Sequence, residues 1–251
     1  SIHEDIAAGE LEEWSVPGDT LWTRDFQPGS YEVVEYATGL TEGWYDPVQG
    51  IYNPVGDTVC WQYVFDLDPA EFIQTGKPDD PKVYWLDVQA HVPETGGLFG
   101  WKTSLDHWND DAVYHVGREP VAPGVGVWNE LIYPGGHPME GESIDLAFKI
   151  IGSGTKWSQP PEPADVPAYN GWDEYTEYGS NQIVADDWVC NTENPVTDVH
   201  WWGSFLGWKG EDLPAVGPDR FHFGIWTDVP AGVDATYSHP GEMIHEFVAP
   251  S

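Results

Sequence analysis

Positive charge, cysteine and long apolar runs are what this sequence most lacks. Lysine and arginine number 9 against 43 aspartates and glutamates, a formal net charge of −34. Nucleic acid and anionic membrane surfaces carry the same sign, so Coulomb repulsion excludes both as partners. No apolar run reaches the roughly 18 residues needed to cross a bilayer as a helix, so no membrane insertion is expected. The chain opens at Ser1 with no charged-then-apolar leader, as a processed or excerpted segment would. The two cysteines, Cys60 and Cys190, leave two readings open: one disulfide, as an extracellular setting favours, or two buried thiols. Helical signals are as scarce. The one short candidate is 68–73, where Asp68 can cap and Pro69 can occupy the first turn.

What is present in excess is aromatic. Aromatic residues make up 14% of the chain, with 15 tryptophans, a composition that acidic disordered chains do not have. A core is therefore expected, and its charge needs screening. Ca²⁺ is the cofactor that suits carboxylate and carbonyl oxygens best. Alternating or short apolar runs predict strands over 31–36, 58–67, 83–92, 100–105, 143–151, 183–190, 198–205, 221–227 and 242–248. Turn-forming clusters rich in glycine, proline and acidic residues separate them. Nine or ten such strands imply an all-β fold, a jelly-roll-like β-sandwich.

The two ends of the chain repeat. At an offset of 223 residues, Ile2 falls on Ile225, Asp5 on Asp228, Ala8 on Ala231, Gly9 on Gly232, Ser15 on Ser238, Pro17 on Pro240 and Gly18 on Gly241. Residues 1–26 thus repeat 224–248, and the chain is slightly longer than one period. This divides it into 1–151, the second half of one β module, a Gly/Pro-rich linker at 152–167, and 168–251, the first half of the next. The halves can close on each other as a circular permutant or be exchanged between identical subunits.

Several motifs carry a resemblance. Lys156-Trp157-Ser158-Gln159-Pro160-Pro161, Val184-Ala185-Asp186-Asp187-Trp188-Val189-Cys190 and the stretch Thr197-Asp198-Val199-His200-Trp201-Trp202-Gly203-Ser204 resemble the opening half of an uncharacterised domain of long secreted bacterial proteins. Cys60-Trp61-Gln62-Tyr63, Tyr84-Trp85-Leu86-Asp87-Val88-Gln89-Ala90, Phe99-Gly100-Trp101-Lys102-Thr103-Ser104 and His107-Trp108-Asn109-Asp110-Asp111-Ala112 resemble its closing half. The resemblance implies a secreted, cell-surface module and supplies no catalytic residues. The halves stand here in permuted order.

Among candidate sites, Asp106, Asn109, Asp110 and Asp111 gather four oxygen-bearing side chains at short spacing, a possible Ca²⁺ loop without the spacing of an EF-hand. The nine histidines are scattered, with no zinc-ligand spacing. No nucleophile elbow, phosphate loop or dinucleotide fingerprint occurs, and a non-enzymatic role is expected. Trp201 and Trp202 are adjacent and must face opposite sides of a strand, one into the core and the other toward a surface or interface. The functional expectation is a structural subunit of an extracellular filament or matrix, a homopolymer joined head to tail through Ile2, Asp5, Pro17, Gly18, Ile225, Asp228, Pro240 and Gly241. The alternative is a carbohydrate-binding module whose exposed aromatics stack on a polysaccharide.

Overall fold

The structure is a computed structural model that describes residues 2–6, 16–70, 72–93, 97–109, 111–116, 128–161, 172–177, 182–210, 212–229 and 239–243. Its strands are β1 (Ile2–Ile6), β2 (Val16–Trp22), β3 (Arg24–Phe26), β4 (Glu32–Asp46), β5 (Ile51–Asp66), β6 (Lys82–His91), β7 (Phe99–Ser104), β8 (Val113–His115) and β9 (Trp128–Glu130). They continue as β10 (Asp145–Leu146), β11 (Phe148–Ile151), β12 (Thr155–Gln159), β13 (Trp172–Tyr175), β14 (Ile183–Cys190), β15 (Asp198–Phe205), β16 (Arg220–Val229) and β17 (His239–Met243). The all-β sandwich read from the sequence is what forms: two sheets face each other across an aromatic core. Among the described residues no helix is long and apolar enough to cross a membrane.

Alternation along β5 explains the core. Val59, Trp61, Tyr63 and Phe65 all point to one side and are buried. Facing them from the nine-stranded sheet are Phe26, Phe221 and Phe223, with the Phe65 and Phe223 rings 4.4 Å apart and Tyr63 and Phe221 4.9 Å apart. Such edge-to-face contacts suit the ring quadrupoles and add to the burial of apolar area.

One sheet runs β17-β16-β2-β1-β6-β14-β8-β9, with β3 also paired to β16 and β16 also to β6. The other runs β10-β7-β13-β4-β5-β15-β11-β12, and it closes on itself. Gly100 and Trp101 of β7 pair with Tyr175 and Glu174 of β13 on one edge and with Ser204 and Gly203 of β15 on the other. Since β13 pairs with β4, β4 with β5 and β5 with β15, these five strands form a ring. The ring is tight. A Cβ on Gly100 would lie 2.6 Å from the Trp44 ring and 2.8 Å from the Asp173 Cβ, so only glycine fits there.

Ring closure corrects one expectation. Trp201 enters the main core as read, but Trp202 is buried too, at 4% exposure, in a small cluster with Cys60 and Ala147 on the other face of the sheet. The described residues of the 68–73 candidate, 68–70 and 72–73, are likewise not helical. Asp68 Oδ1 accepts the Ala70 amide at 2.9 Å and holds a turn, and nothing propagates it. The expected 143–151 strand is split, with β10 and β11 paired to different neighbours, β7 and β15.

Both parts of the chain supply both sheets, so 1–151 and 168–251 do not stand apart as separate units. The expected linker at 152–167 begins as a hairpin turn, where the Gly152 amide donates to the Gly154 carbonyl at 2.9 Å, and then becomes β12, paired to β11. Residues 162–167 lie outside the described residues.

Candidate functional site

Inside the ring, Lys102 of β7, Glu42 of β4, Asp57 of β5 and Asp173 of β13 meet, each no more than 2% exposed. They come from four of the five ring strands. Side chains from strands that are not neighbours can touch only on the enclosed side. Lys102 Nζ donates to Asp173 Oδ2 at 2.5 Å, to Asp57 Oδ1 at 3.4 Å, and most closely to Glu42 Oε2. Lys102 and Asp173 are also direct cross-strand partners.

Four ionisable groups in a dry interior cannot all carry charge. Burial pushes the Glu42 carboxyl up to about 8 against the pull of Lys102, with Asp57 pushing it further up. Burial and Asp57 likewise hold Asp173 well above the usual carboxylate range. Burial opposes the Lys102 charge, but the carboxylates around it win and keep it protonated. Oxygens of Glu42, Asp57 and Asp173 lie within 4.8 Å of one another, close enough to hold a metal ion. The Lys102 ammonium already contacts all three, so a divalent cation would have to displace it against like-charge repulsion.

A second acidic group lies beneath the loop read as a Ca²⁺ site. Asp145 is 2% exposed, its Oδ2 is 2.7 Å from His107 Nδ1, and its Oδ1 has no hydrogen-bond partner. Burial raises Asp145 to about 6, with Asp111 adding to the rise. Burial and Asp145 also hold Asp186 well above its usual range. Asp186 accepts the Leu146 amide at 2.8 Å, and Asp187 accepts the Asn109 side-chain amide at 2.7 Å. Of the four loop residues named from the sequence, Asp111 joins this nest, Asn109 turns its amide nitrogen to Asp187, Asp106 stays at the exposed rim, and Asp110 lies outside the described residues. The loop does not form the site by itself. Asp111 reaches Asp145 and Asp186 electrostatically, but among the described residues only Glu42, Asp57 and Asp173 bring three ligand oxygens within 4.8 Å of one another.

Above that rim is a groove of about 540 Å³ lined by residues 105–108 and 157–159. Trp108 and Trp157 meet in it edge to face, 5.1 Å apart. Gln159 braces the floor, accepting from Trp157 Nε1 at 2.5 Å and donating to the Asp106 carbonyl at 3.1 Å.

One arrangement resembles a nucleophile relay. Thr23 Oγ1 is 3.4 Å from His222 Nε2, and His222 Nδ1 is 2.6 Å from Asp25 Oδ1. The Thr23 hydroxyl, however, donates to the Phe223 carbonyl, and His222 and Asp25 are cross-strand partners. The row fastens β3 to β16.

The cysteines are separate free thiols. Cys60 packs with Ala147 and Trp202 in the eight-stranded sheet, whereas Cys190 ends β14 in the other sheet, its thiol donating to the Thr192 carbonyl at 3.1 Å. The disulfide reading is thus not what this fold makes within a chain: the two thiols lie in different packing clusters.

The repeated ends fold alike. In the β1–β2 hairpin the partners are His3 with Thr20, Asp5 with Pro17 and Ile6 with Val16, with an irregularity between His3 and Asp5. In the β16–β17 hairpin they are Trp226 with Met243, Asp228 with Pro240 and Val229 with His239, with an irregularity between Trp226 and Asp228. These three pairs, with the irregularity between the first two, are displaced by the same 223 residues; β1–β2 has a further pair, Ile2 with Trp22, and a further irregularity beside it, whose counterpart at 245 lies outside the described residues. Ile2 and Ile225, equivalent under that offset, share one register partner, Leu86 of β6. The β14 strand also pairs with β6 at Leu86, through Asp186. A strand has two edges, so one edge of β6 serves two equivalent strands.

A family model described as "Domain of unknown function (DUF7901)" matches residues 1–151 and 155–250. The chain belongs to this family. The DUF7901 match breaks at the Gly152–Gly154 turn between β11 and β12. No curated protein and no solved structure matches the chain. The Lys102 cluster was not read from the sequence, because its members are 15 to 71 positions apart in order. One signal was available: a lysine amid the apolar run of β7, in a chain with only 9 cationic residues.

Proposed function

We propose that this protein is a structural subunit of an extracellular filament or matrix, in which each copy lends a terminal hairpin to the next. The carrying observation is the pair of equivalent hairpins that converge on Leu86. A residue on an antiparallel strand directs its N–H and C=O to one neighbour, so one hairpin satisfies that place in full. The other is then surplus to its own fold and complementary to the same edge of a second copy. Donation runs from one end of a copy to the edge of another, a heterologous contact that continues as a fibre when it does not close. The DUF7901 match in two stretches fits the same picture of half-modules in permuted order. Secretion is supported by the resemblance of the motifs to a domain of secreted proteins. Ca²⁺ at the exposed loop that carries Asp106, Asn109 and Asp111, shared with a neighbouring copy, would relieve repulsion between subunits' acidic surfaces.

Imaging and sedimentation of the purified chain, with and without Ca²⁺, test this reading. Head-to-tail assemblies are expected, and deletion of 1–22 is expected to leave folded monomers. Dispersed monomers of the whole chain at every Ca²⁺ concentration would overturn it.

A second reading is favoured by the Trp108–Trp157 groove, whose two indoles beside Asp106, Ser158 and Gln159 offer a stacking face with hydroxyl-bonding groups around it. Under that reading the protein holds a polysaccharide. A glycan array with Trp108→Ala and Trp157→Ala as controls separates the two.

A further inference from the structure

The Lys102 cluster has more chemistry than a salt bridge requires. A buried ion pair is costly to desolvate, and replacement of such groups by apolar residues is often neutral or stabilising. Here three carboxyls surround one lysine within a closed ring of strands. The lysine nitrogen lies 2.5 Å from a carboxyl oxygen of the residue directly opposite it on the next strand. Both backbones are held by the ring, and Gly100 lets Asp173 pack tightly beside Trp44. Reactants held in contact in a dry site gain the large effective concentrations of intramolecular reactions.

We propose that Lys102 Nζ forms an amide bond with the Asp173 side chain, stapling β7 to β13 from inside the ring. The ammonium is the resting form, and transfer of its proton to the Asp57 carboxylate, 3.4 Å away, gives the neutral pair from which reaction starts. The neutral amine attacks Cγ of Asp173, which reacts as the carboxylic acid that burial favours. Glu42, hydrogen-bonded to Nζ and itself held protonated near neutral pH, gives a proton to the departing hydroxyl and receives one from nitrogen. A C–N bond forms, a C–O bond breaks, and one water leaves. No oxidant, metal or nucleotide is needed. The product replaces a buried ion pair with a neutral amide, and loss of water from a closed interior favours it further. Asp173 rather than Glu42 is the acceptor because it stands in register with Lys102, on the adjacent strand.

The test is the intact mass of the full chain under denaturing conditions. The expected mass is one water below that of the sequence, and digestion is expected to give a branched peptide joining the segments around 102 and 173. Asp173→Ala is expected to restore the full sequence mass. Glu42→Gln, close in shape to the original, is expected to fold and to slow bond formation at least a hundredfold, read as the fraction of lighter species over time. A natively folded chain, by near-ultraviolet dichroism, that retains the full mass would overturn the proposal. A branch from Lys102 to Glu42 or Asp57 would overturn the assignment of Asp173. Lightening of Glu42→Gln at the wild-type rate would remove Glu42 from its role. Each readout is independent of whether the chain polymerises.

Discussion

Two buried acidic groups in one molecule solve the same problem differently. The ring cluster of Glu42, Asp57 and Asp173 is built around Lys102, so its counter-charge is part of the chain. The nest of Asp111, Asp145, Asp186 and Asp187 has backbone amides, Asn109 and the half-exposed His107. The first is closed and self-sufficient. The second opens beneath an exposed loop and depends on what the solvent supplies, whether protons or cations. A chain this acidic gains rigidity from the first and responsiveness from the second.

The sharpest way to break this contrast is Lys102→Met. It removes from the three carboxyls both their cation and the amide link proposed above, and loss of the buried ion pair alone costs about 3–5 kcal/mol. Chemical denaturation should show that loss. A Lys102→Met chain as stable as wild type would mean the ring cluster is as solvent-dependent as the nest.

Next in size is pH dependence. Asp145 is raised from 3.8 to about 6 in the folded chain, so the folded state holds a proton that the unfolded state has released. Stability from this residue is complete below pH 3.8 and declines as pH rises through about 6, by on the order of 3 kcal/mol. Asp145→Asn should flatten the fall in melting temperature between pH 4 and 7. An unchanged slope would place the titration elsewhere.

The smallest effect expected is that of Ca²⁺. At ten times its dissociation constant, a cation bound to the folded state alone adds about 1.4 kcal/mol. The gain should shrink in Asp106→Asn and Asp111→Asn and persist in Asp145→Asn. If Asp145→Asn abolishes it instead, the buried carboxyls rather than the loop hold the cation.

How much of this was legible depended on range. β14 and β15 are legible residue for residue, because an eight-residue run rich in β-branched and aromatic residues is a local signal. Strands of two to four residues, such as β8, β9, β10 and β13, offer too few positions for a period to register, and tertiary pairing decides them. The N-terminal hairpin is legible by another route, as the repeat of a C-terminal pair whose strands are predicted at 221–227 and 242–248, and the shared Asp–Pro pairing then follows from shared sequence. The Lys102 cluster is a product of ring closure, and closure depends on β7 pairing on both edges. Nothing local in Phe99–Ser104 announces two partners. The same closure explains Trp202, whose adjacency to Trp201 indicated opposite faces but not that both would be covered.

The thiols carry a practical consequence. Cys60 and Cys190 are each 1% exposed, and burial pushes the Cys60 thiol well above its ordinary value, away from the reactive thiolate. An alkylating dye should leave the native molecule untouched and mark it once either packing cluster opens. Because one cysteine sits in each sheet, which of them is marked first reports which layer loosens first.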